Sequence, residues 1–193
     1  MKINGGNMEK TFEEWPKGLY TAIYADPPWQ YTRKNGRGIA SDHYETMSTS
    51  EIAALPVRQI CTKDAMCFMW ATFPNLAEAL TVMRAWGFTY KTAAFVWVKQ
   101  NHSGIGHFCG MGCYTRANAE VCLLGVSRET KVMSQVISHS VRQIIESPVM
   151  RHSQKPDETR ERIVQLLGDV PRIELFARER APGWDAWGNE LPE

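Results

Sequence analysis

Asp26-Pro27-Pro28-Trp29 directly follow an apolar, β-like run, Leu19-Tyr20-Thr21-Ala22-Ile23-Tyr24-Ala25. This order puts an acid, two rigid prolines and a large aromatic just past a strand's carboxyl end, where ligands bind in open α/β sheets. The chemistry that suits this set is methyl transfer to an amino group on a flat base. Such a nitrogen is a weak nucleophile, because its lone pair is delocalised into the ring. An acceptor must polarise its N–H bonds, a role that fits the Asp26 carboxylate and the Pro27 carbonyl. Neither Pro27 nor Pro28 has an N–H to donate, so the loop is rich in acceptors. Trp29 can stack on an extruded base. An Asp-Pro-Pro turn is also common punctuation after a strand, since proline pre-sets turn geometry. The tetrapeptide alone does not separate these two readings.

The elements that must position these groups come from a chain of 193 residues, long enough for one domain with a sizeable core. Hydrophobic residues make up 44% and charged residues 22%, an ordinary globular balance. The formal net charge of +1 gives no global footprint for nucleic acid, so such binding would need a local patch. Residues 1–17 form an N-terminal extension, of which Met1 to Phe12 is polar and lacks the apolar core of a signal peptide. No run approaches the ~18 apolar residues of a membrane span. The five cysteines, an odd number, fit reduced thiols in a cytoplasm. His102, His107, Cys109 and Cys113 cluster, but their spacing matches no usual zinc pattern, so no metal is expected.

Gln30 to Ser48 is a polar stretch too long for a passive connector, and it carries Arg33, Lys34 and Arg37. Ser48 and Glu51 make a capping box opening a short helix that ends before Pro56. Ala65 to Trp70 is a buried strand, and Pro74 to Trp86 a helix stopped by Gly87. Lys91 to Lys99 is a strand, followed by a glycine-rich loop from Asn101 to Gly112. Further strands are expected at Ala119–Gly125, within Lys131–Ile145, at Arg172–Ala177 and near Trp184–Gly188. A helix is expected over Pro156–Leu167, closed by Gly168. The alternation predicts an α/β domain with a mainly parallel sheet and helices on both faces.

Seven segments in order carry a resemblance. They are Asp26–Trp29, Tyr44–Ser48, Trp97–Lys99, Gly112–Glu120, His152–Glu158, Ile173–Arg178, and Trp184 with Gly188–Leu191. Together they resemble the adenine N(6)-methyltransferase family with the Asp-Pro-Pro-Trp motif. That family includes the catalytic subunit of the mRNA adenosine methyltransferase and short bacterial and phage forms. The resemblance runs from about Leu19 to Leu191. It implies a Rossmann-like methyltransferase fold and S-adenosylmethionine as donor. In this family the acidic motif precedes the main donor-binding segment, which accounts for the missing Gly-x-Gly-x-x-Gly after the first strand.

The resemblance also implies roles. Asp26, Pro27, Pro28 and Trp29 form the catalytic set, with Asp26 also touching the donor. Lys155 meets the donor's methionine carboxylate, and Glu174, Arg178, Asn189 and Glu190 fall on donor-binding positions. Glu190 departs from the glutamine usual there, and the segment Glu179–Gly183 is shorter than in the mRNA enzyme. On bare sequence Lys155 reads as a solvated lysine, and Glu174 as the partner of Arg172 or Arg178. Tyr44 and Lys99 are expected on the acceptor side, Lys99 near a phosphate, with Arg33, Lys34 and Arg37 on the nucleic-acid backbone. Arg116, Asn118 and Glu120 are expected to brace the two loops.

These readings converge on a methyltransferase for the 6-amino group of adenine, with DNA favoured and RNA as the alternative. A homodimer or partner subunit would add recognition surface. Two other classes stay open: a catalytically silent nucleic-acid-binding partner, and a methyltransferase for a small molecule or protein side chain.

Overall fold

A computed structural model of the chain describes residues 15–30, 46–111, 114–127, 135–150 and 154–191. Strand β1 spans Tyr20–Ala25, and all its residues are buried. Its side chains alternate: Ile23 and Ala25 enter one apolar cluster, Ala22 and Tyr24 the other. β2, Cys61–Ala71, repeats the pattern, with Cys67 and Met69 on one side and Met66, Phe68 and Trp70 on the other. β1 and the Ala65–Ala71 part of β2 are buried throughout because both faces of the sheet are covered there.

Helix α1, Thr49–Ala54, and helix α2, Leu76–Ala85, cover the first face with Ile52, Ala79, Val82 and Met83. Helix α3, Glu158–Leu167, covers the second face with Ile163 and Leu167. The capping box opens α1: Glu51 N–H donates to Ser48 Oγ at 3.3 Å, and Ser48 N–H donates to Glu51 Oε2 at 2.8 Å. The Ser48 hydroxyl also donates to Glu51 Oε2 at 2.7 Å, and this bond, with that from the Ser48 N–H, holds the Glu51 carboxyl below its usual range. α3 starts two residues after Pro156 and ends at Gly168, whose φ of 77° suits a glycine.

The remaining strands are β3 (Phe88–Gln100), β4 (Ala119–Ser127), β5 (Ile144–Pro148), β6 (Arg172–Leu175) and β7 (Asp185–Trp187). The sheet order is β5-β3-β4-β2-β1-β6-β7. The pairs β1·β2, β1·β6, β3·β5 and β6·β7 are parallel. β4 runs antiparallel to both β2 and β3, so the mostly parallel sheet carries one reversed strand. The reversal follows from connectivity: β3 returns into β4 through the 101–118 loop, with no crossover helix among its described residues.

From β1 the chain proceeds to β2 on one side, while β6 arrives on the other. The carboxyl ends of β1, β2 and β6 therefore lie together, with Ala25 in register with Met69 and Leu175. This is the switch point at which open α/β sheets leave a crevice for ligands. β7 then turns back toward β6 through Gly188. A Cβ at Gly188 would lie 2.2 Å from the Ala177 carbonyl oxygen and 2.7 Å from its nitrogen, so this crossing admits only glycine. The Ala177 N–H donates to the Trp187 carbonyl at 3.0 Å across the same crossing.

Gly188→Ala should therefore cost about 1–3 kcal/mol through overpacking against backbone. Urea unfolding measures it. An unchanged midpoint would show that the crossing yields without penalty.

Candidate active site

Backbone bonds fix the Asp26–Trp29 loop at the carboxyl end of β1. Asp26 N–H reaches the Leu175 carbonyl at 3.5 Å, and Trp29 N–H donates to the Pro27 carbonyl at 2.8 Å. Pro27 O thus already accepts one bond and retains one lone pair for another donor. Met47 N–H donates to Pro28 O at 2.9 Å, and Gln30 N–H donates to Met47 O at 3.2 Å. The two ends of the intervening segment are tied at the motif itself. Arg33, Lys34, Arg37 and Tyr44 lie in that segment, outside the described residues.

Trp29 corrects an expectation. It is 5% exposed and belongs to the core cluster beneath α1. Its indole N–H donates to the Trp70 carbonyl at 3.1 Å. A ring committed to the core in this way anchors the loop and is not presented for stacking on a base.

Four charged side chains alternate in sign across the carboxyl edge of the sheet. Lys155 Nζ lies 2.8 Å from Asp26 Oδ2 and 3.4 Å from Glu120 Oε2. Lys99 Nζ lies 2.5 Å from Glu120 Oε1. Lys155 is 8% exposed and sits 5.8 Å above the Trp70 ring, while Lys99 lies 4.9 Å above Trp97. A surface lysine at position 155 is therefore excluded. Lys99 lies in β3 one residue before its end, at the site, but its ammonium is held by Glu120.

Electrostatics follow from this packing. Burial pushes the Asp26 carboxyl up, and Lys155 only partly offsets it. Burial also works against ionised Glu120, but Lys155 and Lys99 outweigh it and hold that carboxyl below its usual range. Burial disfavours charged Lys155 as well, yet Asp26 and Glu120 together raise it well above an ordinary lysine. Lys155 is thus a permanent cation between two acids.

Glu174 lies one strand away on β6, in register with Tyr24. Its partner is Arg160 of α3, at 2.7 Å, and neither Arg172 nor Arg178. Arg172 instead reaches Asp169 at 2.9 Å, and Arg178 lies 3.6 Å from Glu190. The Gly188 crossing brings that last pair together and leaves Asn189 exposed in the turn beside it. Phe176, just after β6, adopts a φ of 62°, a left-handed turn rare for a large side chain. It is held by edge-on packing on Trp187 at 5.6 Å. An open cleft of about 640 Å³ runs beside α3, lined by Asp157, Arg160, Glu179, Arg180, Pro182 and Trp184. Asp26 and Lys155 do not line it, so the charge cluster lies outside that cleft.

Bracing is seen in the other loop: Lys99 N–H donates to the Asn118 carbonyl at 2.8 Å, and Arg116 Nη1 donates to Met111 Sδ at 3.0 Å. Glu120, expected to share that task, belongs to the charge cluster. Its signal in the sequence was an isolated acid at the head of an apolar strand. Arg160 and Trp70 had no comparable signal, because helical arginines and strand tryptophans are ordinary residues.

Residues 20–190 match the MT-A70 family. The chain belongs to that family. It is 33% identical over 204 residues to the Type II methyltransferase M.MunI of Mycoplasma sp, covering 96% of this chain and 84% of that one. It is 28% identical over 203 residues to the mouse N(6)-adenine-specific methyltransferase METTL4, covering 96% of this chain and 38% of that one. It is 27% identical over 183 residues to the human N(6)-adenosine-methyltransferase catalytic subunit METTL3, covering 90% of this chain and 28% of that one. The chain spans well under half the length of the two mammalian proteins. No helix among the described residues is long and apolar enough to cross a membrane.

Removing the central cation exposes the energetics of the cluster. Lys155→Met would leave Asp26 and Glu120 buried without it, at a cost of about 3–5 kcal/mol. Asp26, already raised by burial, would lose its main opposing cation and rise further above its unfolded pKa, while Glu120 would keep Lys99. The deficit should be largest at neutral pH and shrink on acidification, as protonation removes the buried charge. Chemical denaturation across that range tests this. A deficit that does not vary with pH would show that the lysine acts by packing alone.

Proposed function

We propose that this chain is an S-adenosylmethionine-dependent methyltransferase acting on the 6-amino group of adenine in DNA. The observation that carries the reading is the Asp26–Lys155 pair, which joins the Asp-Pro-Pro-Trp motif to the approach to α3 at the carboxyl edge of the sheet. Family membership and the enzymes it resembles support the reaction class. The alignment covers most of a compact Type II methyltransferase but only a fraction of a much longer N(6)-adenosine enzyme, which favours DNA over RNA.

The residues fit the donor. Its methionine end is a zwitterion, and the site offers a matching pair: Lys155 for the carboxylate and Asp26 for the ammonium. Glu174 suits ribose hydroxyls, which need an acceptor. Arg178, Asn189 and Glu190 close the nucleoside end through the Gly188 turn. The bound donor supplies an electrophilic methyl, so the protein's work is positioning and electrostatics. As the amino nitrogen attacks, it loses conjugation and gains positive charge. Asp26 and the free lone pair of the Pro27 carbonyl accept its N–H bonds and stabilise that charge. Pro28 and Trp29 hold the loop rigid, so the acceptors need no reorganisation. Arg33, Lys34, Arg37 and Tyr44 belong to the acceptor side, where the segment tied at Pro28 and Met47 leaves from the motif.

The direct test is incubation with labelled donor and matched DNA and RNA, followed by nucleoside mass spectrometry. N(6)-methyl-deoxyadenosine is expected. Label in the ribonucleoside alone would replace DNA with RNA, and label in neither would overturn the reading.

Asp26→Asn should lower kcat by about 10²–10³-fold at saturating donor, the scale for losing one transition-state electrostatic partner. Because burial raises the Asp26 carboxyl, the native rate should fall on acidification at a pH above the ordinary carboxylate range. Near-normal turnover by the asparagine variant would remove the carboxylate from catalysis.

Changing Arg33, Lys34 and Arg37 together to Ala should reduce the salt dependence of DNA binding, by roughly one unit of slope for each phosphate no longer neutralised. A slope equal to wild type would take this segment off the binding surface.

A further inference from the structure

Arg160 occupies the first turn of α3, and its guanidinium meets three carboxylates. Glu174 lies at 2.7 Å and Glu179 at 2.9 Å, and Asp157 completes the set. These contacts are unequal. Glu174 is 12% exposed, whereas Glu179 is 53% and Asp157 60% exposed. The outer two are solvated pairs of small worth, which leaves Glu174 as the desolvated partner. The bond uses Arg160 Nη1 and Glu174 Oε2. Among the described residues, no hydrogen bond involves Glu174 Oε1.

Burial pushes the Glu174 carboxyl up, and Arg160 pulls against it. A carboxyl that took up a proton would stop being a pure acceptor. A carboxylate with no fixed partner would also be free to rotate. The two outer acids engage the arginine's other terminal nitrogen, which leaves Nη1 directed at Glu174.

We propose that Arg160 is a positioning residue of the donor site, fixing Glu174 by one carboxylate oxygen so that the other receives the donor's ribose hydroxyls. The inference rests on the reading of Glu174 as a ribose acceptor. It adds the agent that makes Glu174 competent, which family position does not supply. Lys155 and Arg160 both come from the entry to α3. One helix start therefore sets both ends of the donor site, the methionine end through Lys155 and the ribose end through Arg160.

The test compares two probes by calorimetry on the full chain: S-adenosylhomocysteine, and its analogue lacking both ribose hydroxyls. Wild type should prefer the parent compound by about 10–100-fold, the scale of a hydrogen bond to a charged group. Arg160→Gln should bring that preference to within about threefold by weakening the parent and sparing the analogue. Donor KM should rise while kcat at saturating donor stays within about threefold of wild type. Arg160→Gln combined with Glu174→Gln should lose no more preference than Glu174→Gln alone. Arg160→Lys keeps the charge but not the fork, so its preference should lie between the two.

If wild type shows no preference, the ribose reading of Glu174 fails, and the inference falls with it. If wild type discriminates and Arg160→Gln discriminates equally well, only the role of Arg160 is overturned. Equal weakening of both probes would also overturn it, by showing a purely structural arginine. Should the glutamine variant not fold by circular dichroism, Arg160→Lys carries the comparison, and an unchanged preference there overturns the proposal.

Discussion

Burial of one lysine between two acids is the constraint around which this molecule is arranged. An ammonium removed from water costs several kcal/mol unless its partners are close and well aligned. Lys155 has Asp26 at 2.8 Å and Glu120 at 3.4 Å, with Lys99 balancing Glu120 from the far side. Those groups come from the end of β1, the start of β4, the end of β3 and the approach to α3. Four distant parts of the chain must converge for the charges to cancel. The formal sum across the cluster is zero, so it can be buried without leaving a net charge. On the proposed function, a zwitterionic donor end preserves that balance, because it brings an anion to the lysine and a cation to Asp26.

The aromatic residues explain why such a cluster can be rigid. The Trp70 indole N–H donates to the Tyr24 hydroxyl at 2.7 Å, and its carbonyl receives the Trp29 indole N–H. Its ring also lies under Lys155. One residue of β2 thus fastens the β1 strand, the motif loop and the central cation. Trp29 serves the loop from inside the core, and the prolines remove the N–H groups that would compete for acceptors. The motif is stiff for reasons of packing and covalent geometry, which is what preorganised acceptors require.

Much of the fold was legible because it rests on local rules. Apolar runs marked β1 and β2, Ser48 and Glu51 marked the cap of α1, and Gly168 marked the end of α3. Strand reversal at β4 was less visible, since periodicity carries no direction. In the site, Asp26, Lys155 and Glu174 stand out by motif and position, but their partners do not. Arg160 reaches Glu174 because α3 packs over β6, and no spacing in the sequence encodes that approach. Trp29 misled for a related reason. An aromatic after two prolines is equally suited to stacking and to anchoring, and only the sheet beneath it decides.

The chain order of the motifs also becomes intelligible. Asp26 closes the first strand, whereas Glu174 and Arg178 come near the end of the sequence. Parallel pairing erases that separation: β6 lies against β1 with Tyr24 beside Glu174 and Ala25 beside Leu175. The crevice is defined by which strand ends are neighbours, and a sheet does not record the order in which they were synthesised. A strand placed late in the chain therefore builds the same kind of edge as one placed early, provided that it docks beside the acid. The Gly188 crossing completes this edge, since it lets β7 fold back so closely that Glu190 meets Arg178. A side chain at that single crossing would push the last turn away from β6, and Asn189 and Glu190 would move with it.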